Sequence, residues 1–166
     1  MKRIFKLCAV LSVFFIMTGK TEVLAADKLD ENILSIVFHN DGKDVTLNDF
    51  KGKVVILEFW APWCKYCQRQ MPAVSVFADR YSNEPNLKVV PISIDYRGAK
   101  SVKTYFETNG IENLEVFTDE ENNLAKALGV RSIPKFYMIT KNGEISQIFG
   151  GIEGLNKKLL NKNLNE

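Results

Sequence analysis

Residues 54–60 read Val-Val-Ile-Leu-Glu-Phe-Trp, apolar at every position but one and β-branched at the start. Such a run has no polar face to offer to water, so a strand built from it must be covered on both sides, which requires a layered α/β architecture. Two cysteines follow directly, in Trp63-Cys64-Lys65-Tyr66-Cys67. Beyond them Met71, Val74, Phe77, Ala78 and Tyr81 recur at three- and four-residue spacing, the apolar stripe of a helix ending near Asn83. Pro72 lies inside that stripe and is expected to kink the helix after its second turn.

The same patterns predict strands over 33–38, 87–95, 115–118, 135–140 and 144–149, with Asp41-Gly42-Lys43 and Asn142-Gly143 as turns. Helices are expected over 99–109, stopped by Gly110, over 121–128, stopped by Gly129, and in a last segment carrying Leu155, Leu159 and Leu160. Strand and helix alternate through the middle of the chain, as parallel pairing requires. There is no internal repeat or long linker, so residues 26–166 read as one domain.

The first 25 residues read differently. Lys2, Arg3 and Lys6 precede an apolar stretch from Leu7 to Met17, and Val23-Leu24-Ala25 stands before Ala26. This is the pattern of a secretory signal peptide cleaved after Ala25, or of an uncleaved anchor. Eleven residues at about 1.5 Å each span only about half of a ~30 Å hydrocarbon core. Either reading puts the domain in a periplasmic or other extracytoplasmic space, with the membrane reached only through that possible anchor. Beyond the leader the chain holds 18 basic and 19 acidic residues, a balance that argues against a nucleic-acid partner, which needs many cations on phosphates.

Cys8 leaves with the leader, so Cys64 and Cys67 remain. A bridge between cysteines three apart closes too small a loop to staple a fold. With His39 as the only histidine, a four-ligand zinc site is not offered, and no metal or cofactor is expected. Redox chemistry is the reading left. A thiol at the first turn of a helix gains from unpaired N–H groups and the positive end of the macrodipole. Cys64 is therefore expected to attack, with Cys67, one turn further in, as the resolving thiol.

Glu58-Phe59-Trp60-Ala61-Pro62-Trp63-Cys64-Lys65-Tyr66-Cys67 resembles the active-site segment of the thioredoxin superfamily, and Ile133-Pro134 resembles its cis-proline loop. Leu47-Asn48-Asp49-Phe50-Lys51-Gly52-Lys53 and Ile139-Thr140-Lys141-Asn142-Gly143 are similar to segments of its exported TlpA/ResA-like thiol-disulfide reductases. The resemblance implies a thioredoxin fold, a central mixed sheet flanked by helices, with an inserted strand and helix in the 70-residue interval from Cys64 to Pro134. It implies a cis bond at Pro134 and a substrate-binding edge at Ile133 and Pro134, with Trp63 shielding Cys64 and Lys65 and Tyr66 tuning it and facing partners. It makes Glu58 a buried acid serving the resolving cysteine, a role that suits a carboxyl in an apolar strand, whose pKa burial raises. Relatives often carry a second acid where this chain has Gln70, which leaves proton handling to Glu58.

The implied activity is that of a protein-disulfide reductase. Its clients are disulfide-containing proteins, for example in cytochrome c or oxidase copper-site assembly, and its donor is a membrane thiol reductant. A disulfide-forming oxidant is the alternative enzyme. A copper chaperone is an alternative of another class, with Cys64 and Cys67 as soft ligands and Met71 as the nearby third. A peroxidase fits less well, since the two cysteines are neighbours.

Overall fold

The computed structural model describes residues 27–166; the leader, its cleavage and Cys8 lie outside them. Strand β4 (Val54–Trp60) is buried at all seven positions, as its composition demands. It lies between β5 (Leu87–Ser93), to which it is parallel, and β7 (Lys135–Ile139), to which it is antiparallel. The remaining strands are β1 (Asp27–Lys28), β2 (Phe38–Asn40), β3 (Lys43–Val45), β6 (Phe117–Thr118) and β8 (Glu144–Phe149). They complete one mixed sheet in the order β1-β8-β7-β4-β5-β6-β2-β3.

Alternation along β4 divides the core. Val54, Ile56 and Trp60 pack with Met71, Val74 and Phe77 of α2 (Lys65–Arg80), Val102 and Phe106 of α3 (Ala99–Asn109), and Leu160 of α5 (Lys157–Asn165). Val55, Leu57 and Phe59 point the other way, onto Phe38, Phe117, Tyr137 and Leu124 of α4 (Asn123–Ala127). The Trp60 indole stacks on Phe106 at 5.6 Å between ring centres and donates its N–H to the Pro91 carbonyl at 3.3 Å. The inserted strand and helix are β6 and α4, set between α3 and β7.

The expected strand over 33–38 is wrong. Glu31–Leu34 forms one helical turn, α1, and the strand begins only at Phe38. The Asp30 carboxylate accepts the Ile33 N–H at 2.9 Å and caps that turn, a local bond that a short apolar run cannot outweigh. The strand expected over 115–118 shrinks to Phe117–Thr118, because Glu115 turns outward to pair with Lys88. Helix α2 is continuous through Pro72. Proline leaves the Gln68 carbonyl without its helical partner, and the Tyr105 hydroxyl, 3.5 Å away, takes that place.

Candidate active site

The sheet brings its reactive residues to one edge. Beyond the end of β4, Cys64 N–H donates to the Ala61 carbonyl at 3.0 Å, and this tight turn delivers Cys64 to the cap position of α2. Its Sγ accepts the Cys67 N–H at 3.1 Å. Cys64 and Cys67 are joined as a disulfide, with Cα atoms 5.2 Å apart. Cys64 is 7% exposed and Cys67 is fully enclosed, so of the two only Cys64 has any surface open to a partner. Cys67 packs in the cluster that holds Met71 and Val74.

A second segment arrives from far along the chain. Lys135, the first residue of β7, pairs with Phe59 of β4, and this register sets the preceding loop beside the disulfide. The Ile133–Pro134 peptide is cis, and the Ile133 carbonyl oxygen lies 3.9 Å from the Cys64 Sγ.

Glu58 shares a strand face with Ile56 and Trp60, the side covered by α2 and α3. It is completely buried, and neither carboxyl oxygen has a hydrogen-bond partner among the described residues. Burial pushes its carboxyl well above the ordinary value of 4.5. The Tyr105 phenol is raised too, first by burial and then by the nearby Glu58 charge. Glu58 is thus built to be neutral where an ordinary carboxylate is ionised.

Around this centre the exposed side chains are aromatic and basic. Trp63 and Tyr66 are 56% and 68% exposed, and the Arg69 guanidinium lies 4.5 Å from the centre of the Tyr66 ring. Lys65 is exposed as well. Trp63 therefore faces solvent with more than half its surface.

Two residues that sequence reasoning missed hold the turn. Gln68 Nε2 donates to the Pro62 carbonyl at 2.6 Å, and Tyr105 packs its ring on Trp60 at 5.2 Å. Pro72 was the available signal, because it announces an unpaired Gln68 carbonyl that some donor must meet. Gln70 accepts the Ile152 N–H at 3.0 Å and ties α2 to the turn ahead of α5.

Of the other candidates, one lies away from the disulfide and one is buried behind it. His39 lies on β2, its Nδ1 3.1 Å from the Asp44 carboxylate. Met71 is fully buried in the core, where it is no accessible third ligand for copper. Among the described residues no group of three His, Cys, Asp or Glu side chains is placed to hold a metal, and no helix is long and apolar enough to cross a membrane. Two buried-to-surface sulfurs that open and close one bond can carry two electrons, one partner disulfide at a time.

The chain is similar to known proteins. Residues 28–148 match the AhpC/TSA family. The chain is 28% identical to the thiol-disulfide oxidoreductase ResA of Geobacillus thermodenitrificans, over 81% of this chain and 74% of that one. It is 30% identical to ResA of Bacillus anthracis, over 75% and 73%. Among solved structures, the exposed lipoprotein thioredoxin of Streptococcus pneumoniae superposes with a TM-score of 0.62 at 27% identity, over 78% of this chain and 97% of that one. With a thioredoxin fold, a bridged Cys64/Cys67 pair at the head of α2 and these relatives, the chain belongs to the AhpC/TSA family and is a ResA-like thiol-disulfide oxidoreductase.

Proposed function

We propose that this protein works outside the cytoplasm as a reductant of disulfides in client proteins, with Cys64 as nucleophile, Cys67 as resolving thiol and Glu58 as the proton-handling acid. The observation that carries the reading is the Cys64 sulfur at the head of α2, accepting the Cys67 N–H, with Cys67 enclosed behind it. The Cys64 thiolate attacks one sulfur of a client disulfide; the client's second sulfur leaves and takes a proton. Cys67, losing its own proton, then attacks the Cys64 sulfur and frees the first client sulfur as a thiol. Two electrons pass from the pair to the client, and the pair ends as the disulfide.

Glu58 lies on the covered side of β4, the side of Cys67. A carboxyl kept neutral there suits proton exchange with a thiol that cannot reach water. Ile133 and Pro134 offer a backbone edge to the client, and Trp63, Lys65 and Tyr66 the contact surface. The leader-like sequence of residues 1–25 and the likeness to an exposed lipoprotein thioredoxin of Streptococcus pneumoniae support the extracytoplasmic setting. A membrane thiol reductant restores the dithiol, and client proteins of cytochrome c or oxidase copper-site assembly are the expected substrates.

Trapping tests the roles. Cys67→Ala should accumulate mixed disulfides through Cys64, seen as bands that vanish on reduction, and Cys64→Ala should capture none. The opposite pattern overturns the assignment. Direction is read from the equilibrium with glutathione: a reductant sits near the thioredoxin end of the known range, about −270 mV, whereas a potential near about −120 mV marks an oxidant.

A further inference from the structure

Charge is unevenly placed on this molecule. The segments that flank the disulfide, residues 61–72, 95–101 and 129–135, carry Lys65, Arg69, Arg97, Lys100, Arg131 and Lys135 against one carboxylate, Asp95. Asp95 is fully buried and held by the Arg97 guanidinium and the Ser101 hydroxyl, so it presents no negative charge to a visitor. The other five cations have no carboxylate within ion-pair distance among the described residues, so their charge is open to a visitor. The rest of residues 27–166 holds 12 basic and 18 acidic side chains. These segments are thus positive on a chain whose remainder is negative, with Glu120, which lies against Gly98, as the one outside carboxylate among the described residues seen to approach them.

Shape and apolar surface coincide with that charge. A groove of about 410 Å³ runs from the turn before Cys64 along α3, lined by Pro62, Arg97, Lys100, Ser101, Thr104 and Tyr105, with no carboxylate in its wall. The large exposed aromatic side chains among the described residues, Trp63, Tyr66 and Tyr96, all belong to the same flanking segments, Tyr96 being 81% exposed. The loop of Tyr96 and Arg97 is fixed at this edge, because Ile94 N–H donates to the Trp60 carbonyl at 2.9 Å. Aromatic anchors beside unpaired cations are the composition of a protein-docking surface.

We propose that this surface selects clients whose disulfide is flanked by acidic residues, the acidic segment lying in the groove between Pro62 and α3. The inference rests on the Cys64/Cys67 reading and names the class of substrate that site takes. Opposite charge speeds encounter and holds register, so the selection should appear chiefly in the association rate and fade as salt screens it.

The test uses two peptides with the same intramolecular disulfide, one flanked by Asp and Glu and one by Lys, and a small neutral disulfide as control. With the reduced protein at about 20 mM salt, the acidic peptide should be reduced about tenfold faster than the basic one, and the ratio should fall towards one at about 500 mM. Lys100→Glu with Arg131→Glu should bring the ratio towards one at low salt, and the milder Lys100→Gln with Arg131→Gln should lower it part of the way. A wild-type ratio near one at low salt, or a ratio indifferent to both salt and substitution, overturns the proposal. If neither peptide nor the neutral disulfide is reduced, it is the Cys64/Cys67 chemistry that fails, and the selection falls with it.

Discussion

Glu58 is the residue whose surroundings depart furthest from its chemistry. An acid with no hydrogen-bond partner on either oxygen costs stability whenever it is charged. Its raised folded-state value means that the native protein holds this proton at pH values where the unfolded chain has lost it. The stability linked to the group is therefore fully present below about 4.5 and declines as pH rises towards the folded-state value, by about 1.4 kcal/mol per pH unit. Glu58→Gln keeps the shape and removes the titration. Urea midpoints of the two proteins should diverge in the variant's favour as pH climbs from 4.5, and parallel profiles would show that Glu58 is not held neutral. The same variant should slow the resolving step by about 10- to 100-fold and flatten its pH dependence, measured by stopped-flow release of a mixed disulfide at Cys64. Unchanged release kinetics would remove Glu58 from the mechanism and leave it a buried structural acid.

At the scale of single elements, short-range polar contacts decide where helices begin. Asp119 caps α4 with both carboxylate oxygens, accepting from Asn123 N–H at 2.8 Å and Ala125 N–H at 2.9 Å. Asp119→Ala should cost about 1–2 kcal/mol in a denaturation experiment, and a loss under about 0.3 kcal/mol would mean that α4 is held by Leu124 and its packing alone. Gly98 opens α3 with φ of +67°, and a side chain there would meet the Glu120 carboxylate at 2.7 Å. The Glu120 side chain can swing aside, so Gly98→Ala is strained chiefly by its positive φ and should destabilise by about 1–3 kcal/mol; thermal midpoints equal to wild type would show that the loop rearranges freely. Both sites lie beside β5 and β6, so softening them should loosen Arg97 and Lys100 before it touches the cysteines.

For the molecule as a whole, one sheet separating two apolar cores implies a gradient of stability from centre to edge. Amides of β4, bonded on both sides, should exchange with solvent slowest, and those of the short outer strands β1 and β3 fastest by several orders of magnitude. Equal protection across the sheet in a hydrogen-exchange experiment would contradict that order. What the amino-acid sequence determined by itself is whatever depends on neighbours along the chain: the doubly covered strand 54–60, the stripe of α2, the two cysteines at its head, the turn at Asn142-Gly143. Local signals failed where a polar cap competed with a short apolar run, as at Asp30 and 33–38. Only the tertiary structure decided what depends on residues far apart. The Ile133 carbonyl meets Cys64 across 69 positions, Tyr105 serves the carbonyl that Pro72 leaves open, and Lys100 and Arg131 come to flank the disulfide from separate segments. Those meetings are fixed by strand order and register, which arise when two faces of β4 are buried at once and which no window of neighbouring residues contains.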